Sequence, residues 1–163
     1  MDIFSTPDIA DENPHVRALA PILKNLGGKK SFFGKIQTVK CPNDNSLIKE
    51  QLNSTGLNRI LVVDAEGINN VALLGDIMAE TAIKNKWSGI IINGYVRDID
   101  ILENMNIGVQ ALGTMPVKSE KRGLGEVGIE ISFGGLLFKP GQYIYADNNG
   151  VLVAPHPLLL DGL

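Results

Sequence analysis

Residues 71–98 read Val71-Ala-Leu-Leu-Gly75-Asp76-Ile-Met-Ala-Glu80-Thr-Ala-Ile-Lys-Asn85-Lys-Trp-Ser-Gly-Ile90-Ile-Ile-Asn-Gly-Tyr95-Val-Arg97-Asp98. A short apolar run, Val71–Leu74, stops at Gly75-Asp76. From Ile77 to Lys86 the spacing predicts a helix, with Ala79, Ala82, Ile83 and Trp87 on one face. Ser88-Gly89 closes it. Ile90–Asn93 then reads as a buried strand ended by Gly94. Strand, helix and strand in succession make a βαβ unit, whose parallel strands send their carboxyl ends to the same edge. Gly75–Met78 at the first junction and Asn93–Asp98 at the second should therefore meet in space.

Outward from this unit, Arg59–Asp64 is another short apolar run of the buried-strand type. Residues 31–40 alternate from Lys35 onward and predict a strand. Asn43-Asp44-Asn45-Ser46 is a capping cluster that opens a helix ending before Gly56. Residues 1–28 are punctuated by Pro14, Pro21 and Gly27–Gly28, with one short helix expected over Val16–Leu26. A strand is expected around Ile107–Leu112. In the last third, Val127–Ser132 alternates, Gly134-Gly135 turns into Leu136–Lys139, and Pro140-Gly141 turns again. Asp147-Asn148-Asn149-Gly150 between Tyr143–Ala146 and Val151–Ala154 is a hairpin signal. The expected fold class is α/β: one layered domain over 1–163, a mixed sheet with antiparallel C-terminal strands.

The chain of 163 residues has 44% hydrophobic and 20% charged residues, which excludes a disordered polymer. Its net charge of −3 carries no basic footprint, so direct nucleic-acid contact is not expected. Lys29–Lys30 and Lys118–Arg122 are the basic clusters, and both read as solvated loops. A lone cysteine, Cys41, makes no internal disulfide and reads as a small core residue in a reducing, cytoplasmic setting. The N-terminus lacks signal-peptide character, and no run approaches the ~18 apolar residues of a membrane span.

The chemistry concentrates at the two junctions. The first offers backbone N–H groups and the positive end of a helix dipole, with Gly75 allowing close approach, a combination suited to an anion. At the second, Arg97 offers a guanidinium that can hold a carboxylate by two bonds, and Asp98 a carboxylate that can hold a hard cation. Together they suit a small anionic substrate bridged to a divalent metal. Spacing alone leaves a plainer reading open, with Asp76 a helix cap and Arg97–Asp98 a surface pair. Asp64-Ala65-Glu66-Gly67 reads as a turn with solvated acids. His15 and His156 lack metal-ligand spacing. Ser132-Phe133-Gly134-Gly135 reads as a hairpin turn, not a phosphate loop. Lys84 and Lys86 lie on the polar part of a helix and are poorly placed for a Schiff base.

Twenty residues separate Asp76 from Arg97, giving the pattern G-D-x20-R-D. This resembles the RraA-like family, which holds regulators of ribonuclease E activity and class II 4-hydroxy-4-methyl-2-oxoglutarate aldolases. The likeness extends to Phe32–Lys40, Leu61–Asp64, Gly108–Ala111, Phe133–Gly135 and Tyr145–Val151. It implies a β/β/α domain of the swivelling phosphohistidine type, assembled as a homotrimer with clefts between subunits. It implies that the amides of Gly75, Asp76, Ile77 and Met78 bind the substrate's carboxylate end. It gives Arg97 substrate binding and enolate stabilisation, Asp98 a divalent metal (Mg²⁺ or Mn²⁺), and Asp76 a part in proton movement near metal-bound water. Position 101, acidic in many aldolase members, is Ile101 here. The implied activity cleaves 4-hydroxy-4-methyl-2-oxoglutarate to two pyruvates and decarboxylates oxaloacetate, through a pyruvate enolate held on the metal. The alternative implied function is a protein that binds and inhibits ribonuclease E. A methyltransferase reading finds no glycine-rich cofactor loop.

Overall fold

The alternation of side chains along buried strands decides which layers they separate. A computed structural model of the chain describes residues 4–160. In chain order the elements are α1 (Thr6–Glu12), β1 (Arg17–Ala18), β2 (Lys24–Asn25), β3 (Phe32–Lys40), α2 (Ser46–Leu52), β4 (Ile60–Asp64), β5 (Ala72–Leu74), α3 (Asp76–Lys84), β6 (Gly89–Val96), α4 (Ile99–Leu102), β7 (Gly108–Thr114), β8 (Glu126–Val127), β9 (Ile131–Phe133), β10 (Leu136–Phe138), β11 (Tyr143–Asp147) and β12 (Gly150–Ala154). Leu61 and Val63 of β4, with Ile90 and Ile92 of β6, face one core together with Ile48 and Leu52 of α2 and Ala79 and Ala82 of α3. Ile60, Val62 and Ile91 face the opposite core, with Ile131, Phe133, Leu136, Phe138, Ile144 and Val153 of the C-terminal strands. Both faces of these strands are buried, which is why they read as unbroken apolar runs. Helices thus cover one face of the central sheet and antiparallel strands the other.

The main sheet has ten strands in the order β1-β12-β11-β3-β4-β6-β7-β2, with β5 added to β6 and β8 to β3. β3, β4, β6 and β7 are parallel neighbours, from Ile36↔Ile60 through Ile60↔Gly89 to Gly89↔Gly108. The C-terminal pairs β9–β10 and β11–β12 are antiparallel, as expected. Gly89 and Gly108 lie side by side because the buried ring of Phe32 rests on both; a Cβ on either would collide with it.

Three expectations need correction. No helix forms over 16–26. Pro21 interrupts the run, and the flanking residues instead cap exposed sheet edges, Arg17↔Val153 and Lys24↔Ala111. Gly94 does not end its strand. β6 continues to Val96 through a register shift between Ile92 and Tyr95, and Gly94 fits there because a Cβ would lie 2.9 Å from that of Ala65. Asp64 is not solvated. It is 5% exposed, and its Oδ1 accepts from Glu66 N–H and Asn93 Nδ2, both at 2.9 Å. The capping cluster does open α2, but through Asp44, whose Oδ1 accepts from Ser46 N–H at 2.8 Å; the Asn45 side chain makes no cap bond. Among the described residues, no helix is long and apolar enough to cross a membrane.

Candidate active site at the β5–α3 and β6–α4 junctions

β5 and β6 are parallel, with Leu74 opposite Val96. Both therefore deliver their following residues to one edge, and Arg97 N–H donates to Leu74 O at 2.9 Å. The two junctions meet. Asp76 N–H, at the start of α3, donates to Asp98 Oδ2 at 3.0 Å. Ile77 N–H donates to Asp76 Oδ1 at 2.9 Å. The helix start does attract carboxylates, as its dipole and orphan N–H groups require. Two of the amides expected to be open for substrate are occupied, by Asp98 and by Asp76 itself.

Gly75 is needed for this closeness. A Cβ there would stand 2.6 Å from Asp98 Oδ2 and 3.6 Å from Arg97 Nε. Its φ of −133° suits any residue, so the demand is for space and not for conformation. Asp98 has φ 61° and ψ 38°, the left-handed region, at the point where β6 turns into α4. Aspartate tolerates that region better than most residues, yet the conformation costs energy and clusters at functional sites. Arg97 is half-buried, and its Nη1 reaches Pro116 O at 3.4 Å.

A cavity of about 300 Å³ opens here, lined by Gly75, Asp76, Ile77, Met78, Arg97 and Asp98. It lies at the low end of ligand-cavity sizes. A second hollow of about 320 Å³ adjoins Arg97 and Asp98 on the side of Thr114–Pro116. All the residues singled out from the motif thus line one site.

The rest of the wall was missed in the sequence. Lys118, Ser119 and Lys121 line the same cavity, as do Asn45 and Lys49. The Lys118–Arg122 cluster is therefore a wall of the site as well as a solvated loop. Residues 117–124 form a strap fastened to both neighbours. Ala72 N–H donates to Val117 O at 2.7 Å, and Asn45 N–H to Ser119 Oγ at 3.0 Å. Asp44 Oδ2 accepts from Arg122 N–H and from Leu124 N–H. Burial alone would raise the Asp44 carboxyl, but the hydrogen bonds from Ser46, Arg122 and Leu124 outweigh it and hold its pKa at about 2. No local sequence signal marks a strap whose partners lie 78 residues away, as Arg122 does from Asp44.

Among the described residues, no group of three or more His, Cys, Asp or Glu side chains gathers as a metal cluster. The donor set nevertheless fits one kind of ion. Mg²⁺ and similar hard cations take one or two carboxylates and fill their remaining positions with water and substrate oxygens. Asp98, exposed beside Arg97 and Asp76, offers such a carboxylate. Elsewhere, Cys41 is buried, and that burial, with Asp44 and Asp64 nearby, pushes its thiol up to about 12; it is an inert core residue.

Known proteins are similar to the chain in sequence and in fold. The family described as RraA-like, Aldolase/RraA, matches residues 6–153. The chain belongs to the RraA-like family. A Hahella chejuensis relative, 51% identical over 95% of both chains, bears a name proposing it as a 4-hydroxy-4-methyl-2-oxoglutarate aldolase. So does a Pseudomonas putida relative, 50% identical over 97% of this chain and 98% of its own. Among solved structures, one described as an S-adenosylmethionine:2-dimethylmenaquinone methyltransferase from Geobacillus kaustophilus superposes with TM-score 0.94 at 40% identity. It covers 98% of this chain and all of its own. The RNA-processing inhibitor RraA from Thermus thermophilis gives 0.92 at 35%, covering 96% and 95%. This RraA-like chain thus has relatives whose names point to three different activities.

Proposed function

We propose that this RraA-like protein is a divalent-metal-dependent lyase that cleaves 4-hydroxy-4-methyl-2-oxoglutarate to two pyruvates and also decarboxylates oxaloacetate. The observation that carries the reading is the junction of Asp76, Arg97 and Asp98 in one small cavity, with Gly75 left bare to admit them. It agrees with the aldolase names of the 50–51% identical relatives. The methyltransferase name of the Geobacillus kaustophilus protein has no counterpart in a glycine-rich cofactor loop here.

Asp98, with Mg²⁺ or Mn²⁺ on its carboxylate, would hold the metal. When bound, such an ion supplies Lewis acidity toward the keto and carboxylate oxygens of a 2-oxo acid. Arg97 binds the same end of the substrate. Breaking the C3–C4 bond moves an electron pair toward the keto oxygen, and the guanidinium stands where that charge develops. The C4 hydroxyl loses its proton as C4 becomes the keto carbon of the first pyruvate. Asp76 handles that proton and returns one to C3 of the enolate, which gives the second pyruvate. The helix start at Gly75–Met78 receives the substrate carboxylate, which takes the place of Asp98 and Asp76 on the amides of Asp76 and Ile77; that these amides already hold carboxylates supports one being accepted there. Loss of CO₂ from oxaloacetate yields the same enolate, so one site serves both reactions.

Assembly as a homotrimer belongs to this reading. Ile77 at the cavity and Val117 beside it are 74% and 52% exposed, which favours cover by a second subunit. A ribonuclease-binding role is the second reading, favoured by the likeness to the Thermus thermophilis RNA-processing inhibitor.

The test is pyruvate release from 4-hydroxy-4-methyl-2-oxoglutarate. Two pyruvates per substrate are expected, stopped by EDTA and restored by Mg²⁺ or Mn²⁺. Arg97→Lys should not rescue, because an ammonium cannot make the planar two-bond grip. No rate above the metal-only control would remove the lyase reading and leave a pull-down with ribonuclease E as the next step.

A further inference from the structure

The cavity carries more positive charge than a single carboxylate requires. Arg97, Lys49, Lys118 and Lys121 line it, against Asp76 and Asp98. The three lysines are exposed, and none joins the ion pairs found among the described residues, Lys40–Glu66, Arg122–Glu120 and Lys139–Glu130. In a chain of net charge −3 this is a local reversal of sign. We propose that Lys49, Lys118 and Lys121 form a basic wall that binds the distal carboxylate of a 2-oxo dicarboxylate with a five-carbon main chain. The inference rests on the lyase reading for the position of the 2-oxo end, at Arg97 and Asp98.

The wall is held in advance of binding. Lys49 stands on α2, one helical turn after Asn45. Lys118 and Lys121 stand on the strap, whose backbone is fixed at several points. Asp44 clasps Arg122 and Leu124, Gly123 N–H donates to Ser46 Oγ at 3.1 Å, and Glu120 N–H to Asn43 O at 3.3 Å. Binding therefore has to order the lysine side chains but not the chain that carries them.

Asn45 is 7% exposed and lines the cavity. Its Nδ2 donates to Leu73 O at 3.1 Å and to Met78 Sδ at 3.3 Å, while its buried Oδ1 has no partner in the protein. A buried acceptor without a donor is costly and calls for one from a bound molecule or water.

Calorimetry in saturating Mn²⁺ tests the wall without catalysis. The probes are 2-oxoglutarate and 2-oxopentanoate, of equal length, the second with a methyl in place of the distal carboxylate. The native protein should bind 2-oxoglutarate about tenfold more tightly, the size expected of a few partly exposed ion pairs. Raising NaCl from about 0.05 to about 0.5 M should shrink that preference. The Lys49→Met/Lys118→Met/Lys121→Met protein should bind both acids within about twofold of each other, with 2-oxopentanoate affinity unchanged. Lys118→Glu alone, at an exposed position, should reduce the preference. Equal binding of both acids by the native protein, or a preference that survives in the triple variant, overturns the proposal. A preference that behaves as expected in a protein that cleaves neither substrate would sink the lyase reading and leave the wall standing.

Discussion

At the β11–β12 hairpin each residue has its partner, from Tyr143↔Ala154 to Asp147↔Gly150. The buried Asp147 spends its carboxylate on Thr6 N–H at 2.8 Å, the Thr6 hydroxyl at 2.7 Å and Asn149 N–H at 2.8 Å. The β5–α3 and β6–α4 junctions follow the opposite rule. There a non-glycine residue sits in the left-handed region, the ladder slips and an apolar side chain faces solvent. The hairpin satisfies its groups internally and so contributes stability. The junction edge leaves carboxylate, guanidinium and amide groups to be satisfied by something else, which is what a binding site requires.

This contrast can be broken at its sharpest point first. Asp98→Ala should lower turnover at least about 10³-fold, because it removes the carboxylate proposed to hold the metal. Its melting temperature should fall only modestly, because Asp98 is exposed, although alanine tolerates the left-handed conformation less well than aspartate. Turnover near the native rate in steady-state assays would show that the edge is merely irregular.

The core that Ile144 and Val153 of the hairpin share with Phe138 of β10 should respond in stability instead. Phe138 is fully buried and stacks on Phe133 with centroids 4.7 Å apart. Phe138→Ala should cost about 3–5 kcal/mol of folding stability in urea titration. The kcat/KM of the molecules that remain folded should not change.

Gly75→Ala comes next. The added Cβ must push Asp98 Oδ2 or Arg97 aside. A displacement of that kind should lower kcat/KM about 10²-fold while the fold survives. An unaffected variant would mean that the close packing of Gly75 on Asp98 has no catalytic use.

The smallest effect sharpens the hairpin half. Burial alone would raise the Asp147 carboxyl, but the hydrogen bonds from Thr6 and Asn149 dominate and hold it below the ordinary range. A depressed folded pKa contributes stability above the unfolded value of about 3.9, and that stability is lost as pH falls through the folded value. Asp147→Asn should therefore cost about 1–2 kcal/mol at neutral pH. The gap to the native protein should close below about pH 3.9, as followed by urea denaturation across that range.

Much of the central sheet was legible because its strands are buried on both faces, leaving unbroken runs such as Ile60–Val63 and Ile90–Ile92. Parallel pairing then required the ends after Val71–Leu74 and Ile90–Asn93 to meet, so the sequence already brought Gly75, Asp76, Arg97 and Asp98 together, although β6 runs on to Val96. What escaped was non-local. The two-residue strands at Arg17–Ala18 and Lys24–Asn25 exist only because sheet edges far along the chain accept them. Lys118 and Lys121 read as solvated because they are solvated; that they also wall the cavity depends on Asp44 and Ala72. The buried state of Asp64 likewise hangs on Asn93, a neighbour across the parallel pair.

Oxaloacetate tests most directly whether the Asp76–Arg97–Asp98 edge is a metal-dependent lyase site. Pyruvate release should be followed for the native protein and for Asp98→Ala, each in the same Mn²⁺ concentration and against Mn²⁺ alone. A lyase site requires that the native protein exceed the metal-only rate and lose that excess in EDTA, and that Asp98→Ala run at the metal-only rate. An Asp98→Ala protein that releases pyruvate as fast as the native one would contradict it.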